Sequence, residues 1–305
     1  MKLATYEYKG NVQIGIVDEA QARILPLYKA EQALKGTSSL PLDMQGFLEM
    51  GDTAHSLATE LVVQATADLY VPLTDVKLLA PIPRPRKNIF CIGKNYVEHV
   101  MELSADKDLG SAIPKYPMVF SKPPTAVVGP NAEVKNYKEF VTKLDYEVEL
   151  AVIIGKTGKN ISKAQAYDYV FGYTIMNDVS ARDWQKNHGQ WLLGKGPDTF
   201  APLGPWIVDK AEIGNPHDLK ISTKINGELR QNANTGLMIF DIPTLIETIS
   251  TLITLEAGDI IATGTPAGVG LGFLSDGKPH KLLQPGDEMV LEIEKIGKLV
   301  NYIEK

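Results

Sequence analysis

The sequence lacks the features that mark secreted, membrane-bound and nucleic-acid-binding proteins. Its 305 residues include one cysteine, Cys91, so no disulfide can form within the chain, and we expect a reducing compartment, the cytoplasm. The sequence has no run of about 18 apolar residues, the length that a membrane span requires. Glu7 and Lys9 interrupt the stretch where a signal peptide needs apolar residues. The formal net charge of −6 disfavours a nucleic acid or an anionic membrane as the main partner.

The distribution of turns and prolines predicts two unequal domains. The first 25 residues alternate around a Lys-Gly-Asn turn as a hairpin does, and residues 28–69 are typical of helical pieces with polar breaks. The segment PIPRPR at 81–86 cannot form a regular helix, because each proline removes a donor and restricts the residue before it. We therefore predict a small N-terminal α/β domain at 1–80, a linker at 81–85 and a larger domain at 86–305.

The larger part is predicted to be β-rich. Short apolar runs such as NIFCIG, DYEVELAVIIG, VFGYTIMND and DIIATG are typical of strands, whereas helices are expected near 162–169, 180–187 and 242–254. Strands and helices do not alternate regularly, which favours a mixed, β-rich α+β fold over a doubly wound nucleotide-binding sheet. The glycines of TGTPAGVG lack the spacing of a dinucleotide fingerprint, so no organic cofactor is expected.

Two glutamates lead into the most apolar of these strands. On a strand, Glu147 and Glu149 would point to the same face, roughly 7 Å apart at about 3.3 Å per residue. The residues that follow are apolar on both faces, as in a buried strand. Carboxylates at the mouth of such a strand are costly unless they are protonated, paired or bound to a metal. An exposed strand face paired with Lys143 or Lys156 is the alternative.

A third acid, Asp178, ends the strand VFGYTIMND. Three carboxylates without histidine or cysteine would form an all-oxygen site that suits Mg²⁺ or Mn²⁺, or Ca²⁺ in crystals, better than Zn²⁺. Taken alone, Asp178 could instead cap the helix that follows it.

Two further groups could take part in catalysis. His99 and Glu102 are three residues apart and would share a helix face, where the carboxylate could hold the imidazole for proton transfer; a surface pair is the alternative. Lys195 lies between two glycines and could neutralise an anionic substrate or oxyanion, or could be a solvated loop lysine. The polar segment 101–116 is a candidate lid, and Arg182 and Asp183 are expected to make structural ion pairs.

Six collinear motifs together resemble the fumarylacetoacetate hydrolase family, from about residue 86 to the C-terminus. They are IGKNYVEHVMEL at 92–103, VFSKPPTAVVGP at 119–130, DYEVELAVIIGK at 145–156, YVFGYTIMNDVSARDWQ at 169–185, LLGKGPDTFAPLGPWIV at 192–208 and DIIATGTPAGVG at 259–270. The resemblance implies a β-roll with a β-sandwich-like core, usually homodimeric.

The resemblance also implies a role for each candidate residue. Glu147, Glu149 and Asp178 would hold the metal, His99 and Glu102 would act as general acid and base, and Lys195 would lie in the site. The expected substrate contacts are Gln185, Thr265, Lys94 and Tyr96.

The expected reaction is divalent-metal-dependent cleavage of a small anionic 2-oxo acid. It would be acylpyruvate hydrolysis, oxaloacetate decarboxylation or both, through a pyruvate enolate. A hydratase or isomerase of a 2-oxo-enoate or 2-hydroxymuconate-type diacid in aromatic degradation is the alternative enzyme. Arginines or lysines placed for a distal carboxylate would favour it. A catalytically silent metal-binding scaffold is the alternative without enzyme activity.

Overall fold

The computed structural model describes residues 1–103, 112–273 and 281–305. The strands in chain order are β1 (Lys2–Tyr8), β2 (Asn11–Asp18), β3 (Arg23–Pro26), β4 (Val71–Pro72), β5 (Lys77–Leu78), β6 (Ile89–Gly93), β7 (Met118–Lys122), β8 (Val127–Val128), β9 (Glu133–Val134), β10 (Leu144–Asp145), β11 (Val148–Ile154), β12 (Val170–Asn177), β13 (Ser180–Ala181), β14 (Ala201–Asp209), β15 (Lys220–Ile225), β16 (Glu228–Asn234), β17 (Ile260–Ala262), β18 (Glu288–Ile293) and β19 (Gly297–Ile303). The α-helices are α1 (Leu27–Lys35), α2 (Met44–Met50), α3 (Asp52–Gln64), α4 (Val97–Leu103), α5 (Arg182–Asn187), α6 (Leu192–Lys195), α7 (Lys210–Ile213) and α8 (Ile242–Leu252).

One large mixed sheet organises the molecule. Its main path runs β4-β3-β2-β1-β14-β12-β11-β17-β6-β7. At its centre every residue of β11 is buried, as the continuous apolar run predicts. Leu150, Val152 and Ile154 pack into one hydrophobic cluster, whereas Ala151 and Ile153 pack into another. Because successive side chains of a strand point to opposite faces, the sheet has a core on each side.

The two faces of the large sheet are covered differently. A smaller sheet, ordered β16-β15-β18-β19-β9, contributes apolar side chains such as Ile221 and Leu291 to the first cluster. The N-terminal helices contribute Ala30, Phe47 and Leu61 to the second. The result is a sheet packed on a sheet, with helices on the outer face, so the predicted β-rich α+β class is confirmed.

The N-terminal segment shares the large sheet with the rest of the chain. The predicted hairpin is present as β1 and β2, and β1 continues the sheet by pairing with β14, Leu3 opposite Ile207. The helical pieces expected within 28–69 are α1 to α3, and 81–86 contains neither helix nor strand. The division into domains at 1–80 and 86–305 stays a prediction.

One edge of the sheet gathers the chain segments that carry the candidate residues. Strands β11 and β12 are antiparallel, with Val148 opposite Asn177, so the start of β11 meets the end of β12. Strand β17 runs antiparallel to β11, and β6 runs parallel to β17. The ends of β6 and β17 therefore reach this same edge, which brings four distant segments together.

A buried carboxylate anchors α1 to the loop after it. Glu31 accepts hydrogen bonds from the backbone N–H groups of Ser39 and Leu40 and from the hydroxyls of Thr37 and Ser39, at 2.6–2.9 Å. Burial alone would raise the pKa of Glu31, but these hydrogen bonds outweigh it and lower that pKa to about 2. The carboxylate is therefore ionised in the folded protein down to acidic pH.

Replacing Glu31 should destabilise the fold much more than replacing an exposed acid. We expect Glu31→Ala to lower the free energy of unfolding by about 2–3 kcal/mol at pH 7, because buried donors lose a charged acceptor. The exposed Glu19, which pairs with Lys2, provides the control: Glu19→Ala should cost less than about 1 kcal/mol. Urea unfolding measures both.

The pH dependence gives a second readout of the same variant. A lowered folded-state pKa contributes stability above the ordinary value of 4.5, and this stability is lost as the pH falls toward about 2. The difference between wild type and Glu31→Ala should shrink over that range. A difference that stayed constant with pH would contradict the role of the carboxylate charge.

Candidate active site

Three buried carboxylates converge at the sheet edge. One oxygen each from Glu147, Glu149 and Asp178 lies within 4.8 Å of the other two. Strand β11 begins at Val148, so Glu147 stands one residue before it rather than within it. Hydrogen bonds from the Glu147 N–H to Asn177 Oδ1 and from the Asp178 N–H to the Glu147 carbonyl fix this junction. The two strand ends are thereby tied to each other.

Three buried cations compensate two of these carboxylates. Lys195 Nζ donates to Glu147 Oε2 and to Asp178 Oδ2, each at 2.8 Å. Arg182 Nη2 lies 2.7 Å from Glu147 Oε1, and Lys122 Nζ donates to Asp178 Oδ1. These contacts exclude an exposed Glu147–Glu149 face, a capping role for Asp178 and a solvated loop position for Lys195.

The charges in this network shift each other's pKa values. Burial alone would lower the pKa of Lys195, but the charges of Asp178 and Glu147 outweigh it and hold that pKa above its ordinary value. For Glu147, burial acts to raise the pKa, yet Lys195 and Arg182 hold it well below the usual range. Lys195 is therefore an ammonium and Glu147 a carboxylate at neutral pH.

Glu149 lacks such compensation. Its Oε2 accepts one hydrogen bond from the Gly264 N–H at 2.8 Å, while its Oε1 is buried without a partner among the described residues. Burial, together with the negative charges of Asp178 and Glu147, raises the pKa of Glu149 well above its ordinary value. A partnerless buried oxygen beside two further carboxylates fits a divalent cation that prefers oxygen ligands, such as Mg²⁺ or Mn²⁺.

An imidazole and a carboxylate form a second pair on α4. His99 Nδ1 lies 2.7 Å from Glu102 Oε1, as the spacing of three residues predicts. Glu102 Oε2 in turn accepts from the Gly268 N–H at 2.9 Å. The loop after β17 thus holds the carboxylate, the carboxylate holds Nδ1, and Nε2 is the imidazole nitrogen left for proton transfer.

A cavity of about 530 Å³ opens over these groups. Phe120 and Trp191 form one wall of the cavity, where their rings pack edge to face with centroids 5.2 Å apart. Trp191 fits there because Gly93 has no side chain: a Cβ on Gly93 would lie 2.6 Å from the indole ring. Six predicted site residues line the cavity: Lys94, His99, Glu147, Gln185, Lys195 and Thr265.

The expected substrate contacts differ in their surroundings. Gln185 Oε1 accepts from Arg182 Nη1 at 3.3 Å, and Thr265 Oγ1 accepts from Gln231 Nε2 at 2.7 Å. Tyr96 is 2% exposed and, among the described residues, is not part of the cavity lining. Half of the candidate lid, at 104–111, lies outside the described residues.

Sequence reasoning missed part of this network. Lys122 is fully buried at the end of β7 and was not singled out, although a lysine closing an apolar strand was a usable signal. Arg182 makes the expected ion pair, with Asp145 as well as Glu147. Asp183 instead accepts hydrogen bonds from the backbone and hydroxyl of Thr142, both at 2.7 Å.

Comparison with known proteins identifies the family. The family model described as "Fumarylacetoacetate (FAA) hydrolase C-terminal" matches residues 88–304. The curated relative "Oxaloacetate tautomerase YisK" of Bacillus subtilis (strain 168) is 47% identical over 309 residues, a match that covers 99% of this chain and 100% of the relative. The chain belongs to the fumarylacetoacetate hydrolase family. The predicted family, and the prediction of an enzyme of that family, are confirmed.

Solved structures of fumarylacetoacetate hydrolase family members share the whole fold. The "Fumarylacetoacetate hydrolase (EaFAH)" from psychrophilic Exiguobacterium antarcticum is 37% identical with a TM-score of 0.81, and the match covers 100% of this chain and 99% of that one. The maleylpyruvate hydrolase from Sphingobium sp. SYK-6, in complex with manganese(II) ion and pyruvate, is 28% identical with a TM-score of 0.76 and the same coverage. Among the described residues, no helix is long and apolar enough to cross a membrane.

Neutralising Glu149 should stabilise the metal-free protein and weaken metal binding. Because the folded-state pKa of Glu149 is raised, its ionised form opposes folding at neutral pH. We expect Glu149→Gln to raise the free energy of unfolding by about 1–2 kcal/mol after treatment with a chelator. Unfolding in urea, with and without added Mn²⁺, measures both effects.

The response to Mn²⁺ distinguishes the role of Glu149 in metal binding from the cost of its buried charge. A ligand that binds only the folded state stabilises it, so Mn²⁺ should stabilise wild type and should bind Glu149→Gln at least about tenfold more weakly. Glu292→Gln, at an exposed position on β18, should behave as wild type. Equal stabilisation of wild type and Glu149→Gln by Mn²⁺ would show that Glu149 is not a ligand.

Proposed function

We propose that this protein is a divalent-metal-dependent enzyme that acts on oxaloacetate and related 2-oxo acids by moving a proton at C3. Its main activity would be interconversion of the keto and enol forms of oxaloacetate. The proposed metal ligands are Glu147, Glu149 and Asp178, and the ion would be Mg²⁺ or Mn²⁺. Cleavage of the bond beyond C3, by decarboxylation of oxaloacetate or hydrolysis of an acylpyruvate, would use the same site.

The observation that carries the proposal is the arrangement of two chemically different groups on one cavity. The buried carboxylates fit an ion, and Glu147, one of the three, lines the cavity. The 1-carboxylate and 2-oxo group of a substrate would lie at this inner end. His99, held by Glu102, lines the same cavity. Oxaloacetate is the substrate in the name of a relative whose match covers 99% of this chain, which supports the choice of substrate.

A bound ion would supply Lewis-acid chemistry, lowering the energy of the negative charge that develops on the 2-oxo oxygen. The chain itself would move the proton. Tautomerisation transfers one proton from C3 to the 2-oxo oxygen and breaks no carbon–carbon bond. His99 Nε2 would take the proton from C3 and return it to the 2-oxo oxygen, while Glu102 stabilises the imidazolium that forms between the two transfers. The Glu102–Gly268 hydrogen bond would keep the pair in one orientation throughout the reaction.

Lys195 would act as a fixed positive charge. Its ammonium is held by Glu147 and Asp178 and lines the cavity, so it could donate a hydrogen bond to a developing oxyanion without rearranging. Gln185 and Thr265 are proposed to orient the substrate from the cavity wall. Lys94 is proposed as a contact at the cavity mouth, and Tyr96 stays a predicted contact.

Acylpyruvate hydrolysis is the second candidate reaction. A maleylpyruvate hydrolase has the same fold, with manganese and pyruvate bound, which favours the hydrolytic use of such a site. In this chain His99 would then activate a water rather than take the C3 proton. Decarboxylation needs no attacking water, so it should depend less on His99. The cytoplasmic location and the homodimer stay predictions.

Replacing His99 should separate these reactions. We expect His99→Asn to slow oxaloacetate tautomerisation and acetylpyruvate hydrolysis by about 10²–10⁴-fold, because the proton acceptor is lost. Decarboxylation should fall far less. Enol absorbance measures tautomerisation, corrected for the spontaneous rate, and pyruvate release measures the two cleavages.

The control for this experiment lies on the same helix. Glu98 is exposed on α4, so Glu98→Gln should leave all three rates unchanged. Binding of Mn²⁺ to His99→Asn should also be unchanged, which excludes loss of the metal site. An equal loss of tautomerisation and decarboxylation would overturn the role of His99, and a metal-loaded wild type that accelerates neither would overturn the proposed function.

A further inference from the structure

The mouth of the cavity carries positive charge that takes no part in the proposed proton transfer. Three exposed lysines, Lys94, Lys143 and Lys186, belong to the cavity lining, and we call them the lysine rim. Within the part of the chain that is described, none of the three makes an ion pair or a side-chain hydrogen bond. Lys195 and Arg182, by contrast, are both committed to buried carboxylates. The rim charges are thus available to a ligand.

Two of the rim lysines stand on the same side of the cavity. The Arg182 N–H donates to the Lys143 carbonyl at 2.8 Å, which places the backbone of Lys143 beside the start of α5. Lys186 is four residues after Arg182 on that helix, so the two share a face. Both lysines therefore start from backbone close to Arg182, and their side chains are exposed whereas that of Arg182 is buried.

The third rim lysine follows the end of β6. Lys94 has a backbone φ of 57°, in the left-handed region that non-glycine residues rarely adopt. The next residue holds this turn in place: Asn95 Nδ2 donates to the carbonyls of Phe240 and Thr263, at 3.0 and 2.7 Å. Such a backbone conformation persists only where the surrounding structure holds it, so the fold fixes the position of Lys94 at the cavity.

The balance of charge at the rim is opposite to that of the whole chain. The protein carries a net −6, yet among the described residues the part of the mouth's lining that is not buried presents three lysines and one carboxylate, Asp183. Hydrogen bonds from Thr142 and from the Trp184 N–H engage that carboxylate. A positive mouth on a negative protein attracts anions from solution and favours a negative group at the outer end of the bound ligand.

We propose that the lysine rim binds the distal carboxylate of a 2-oxo diacid, and so gives the enzyme its preference for diacids over 2-oxo acids with one carboxylate. The inference rests on the proposed function, which assigns the 1-carboxylate and 2-oxo group to the inner end of the cavity. A cavity of about 530 Å³ has room beyond those atoms for the rest of the substrate. The distal carboxylate then lies between Lys94 on one side and the Lys143–Lys186 pair on the other.

A binding experiment tests the rim without requiring turnover. Difluorooxaloacetate has the inner group and a distal carboxylate but cannot enolise, whereas oxalate has the inner group alone. Calorimetry with Mg²⁺-loaded protein at about 0.15 M salt, where exposed charges act over about 8 Å, compares the two ligands. The variants are the triple Lys94→Gln/Lys143→Gln/Lys186→Gln and a control, Lys224→Gln, at an exposed lysine of β15.

The rim predicts a selective loss of affinity. The triple variant should bind difluorooxaloacetate about tenfold or more weakly, because several exposed charge pairs are lost together, and oxalate less than about threefold more weakly. The control should match wild type for both ligands. Equal weakening of both ligands would show that the rim attracts any anion and does not bind the distal carboxylate, and it would contradict the proposal. Unchanged binding of difluorooxaloacetate would overturn it as well.

Kinetics separate this proposal from the proposed function. For the triple variant, the KM for oxaloacetate should rise about tenfold with little change in kcat, while the KM for acetylpyruvate, which has no distal carboxylate, should stay the same. A wild type that turns over neither substrate, together with a selective loss of difluorooxaloacetate binding in the variant, would refute the proposed function and keep the rim. Turnover with no change in KM would refute the rim alone.

Discussion

The structure depends on an imbalance of buried charge at one edge of its central sheet. The buried groups are the carboxylates of Asp145, Glu147, Glu149 and Asp178 and the cations of Lys122, Arg182 and Lys195. Among the described residues, Asp145, Glu147 and Asp178 have cationic partners and Glu149 has none, so burial and the neighbouring carboxylates oppose its ionisation. Burying a charge without a partner is expensive, and a buried carboxylate beside two further carboxylates can be ionised at low cost only when a cation binds there.

The sheet makes this cluster of charges possible because strand pairing fixes which strand ends lie side by side. Antiparallel pairing of β11 with β12 and with β17 brings the start of one strand to the ends of two others, and the loop after β17 then holds Glu102 through the Gly268 N–H. The same loop holds Glu149 through the Gly264 N–H. One backbone segment thus positions both the acid–base pair and the uncompensated carboxylate, so a shift in it would displace both together.

The sequence was sufficient to predict the parts of this arrangement that depend on local pattern. Burial of the apolar run after Glu149, the strand that ends next to Asp178 and the helical spacing of His99 and Glu102 all follow from periodicity. The motifs shared with the family identified the fold, which local pattern alone left open. Strand β16 escaped prediction because its residues, ELRQNAN, are mostly polar and only Gln231 is buried.

The remaining parts depend on contacts between distant segments, which periodicity does not encode. Whether Lys195 is a solvated or a buried lysine is decided by which carboxylates surround it, and these come from residues 17 and 48 positions away. The same holds for the lysine rim, whose members are brought to one cavity by β6, by α5 and by the segment before β10. Charge that is buried and paired sets the chemistry of the inner site, whereas charge that is exposed and unpaired can only select among ligands. Members of one family can therefore share the inner network and still differ in substrate, since exposed lysines can change without unbalancing the buried charges.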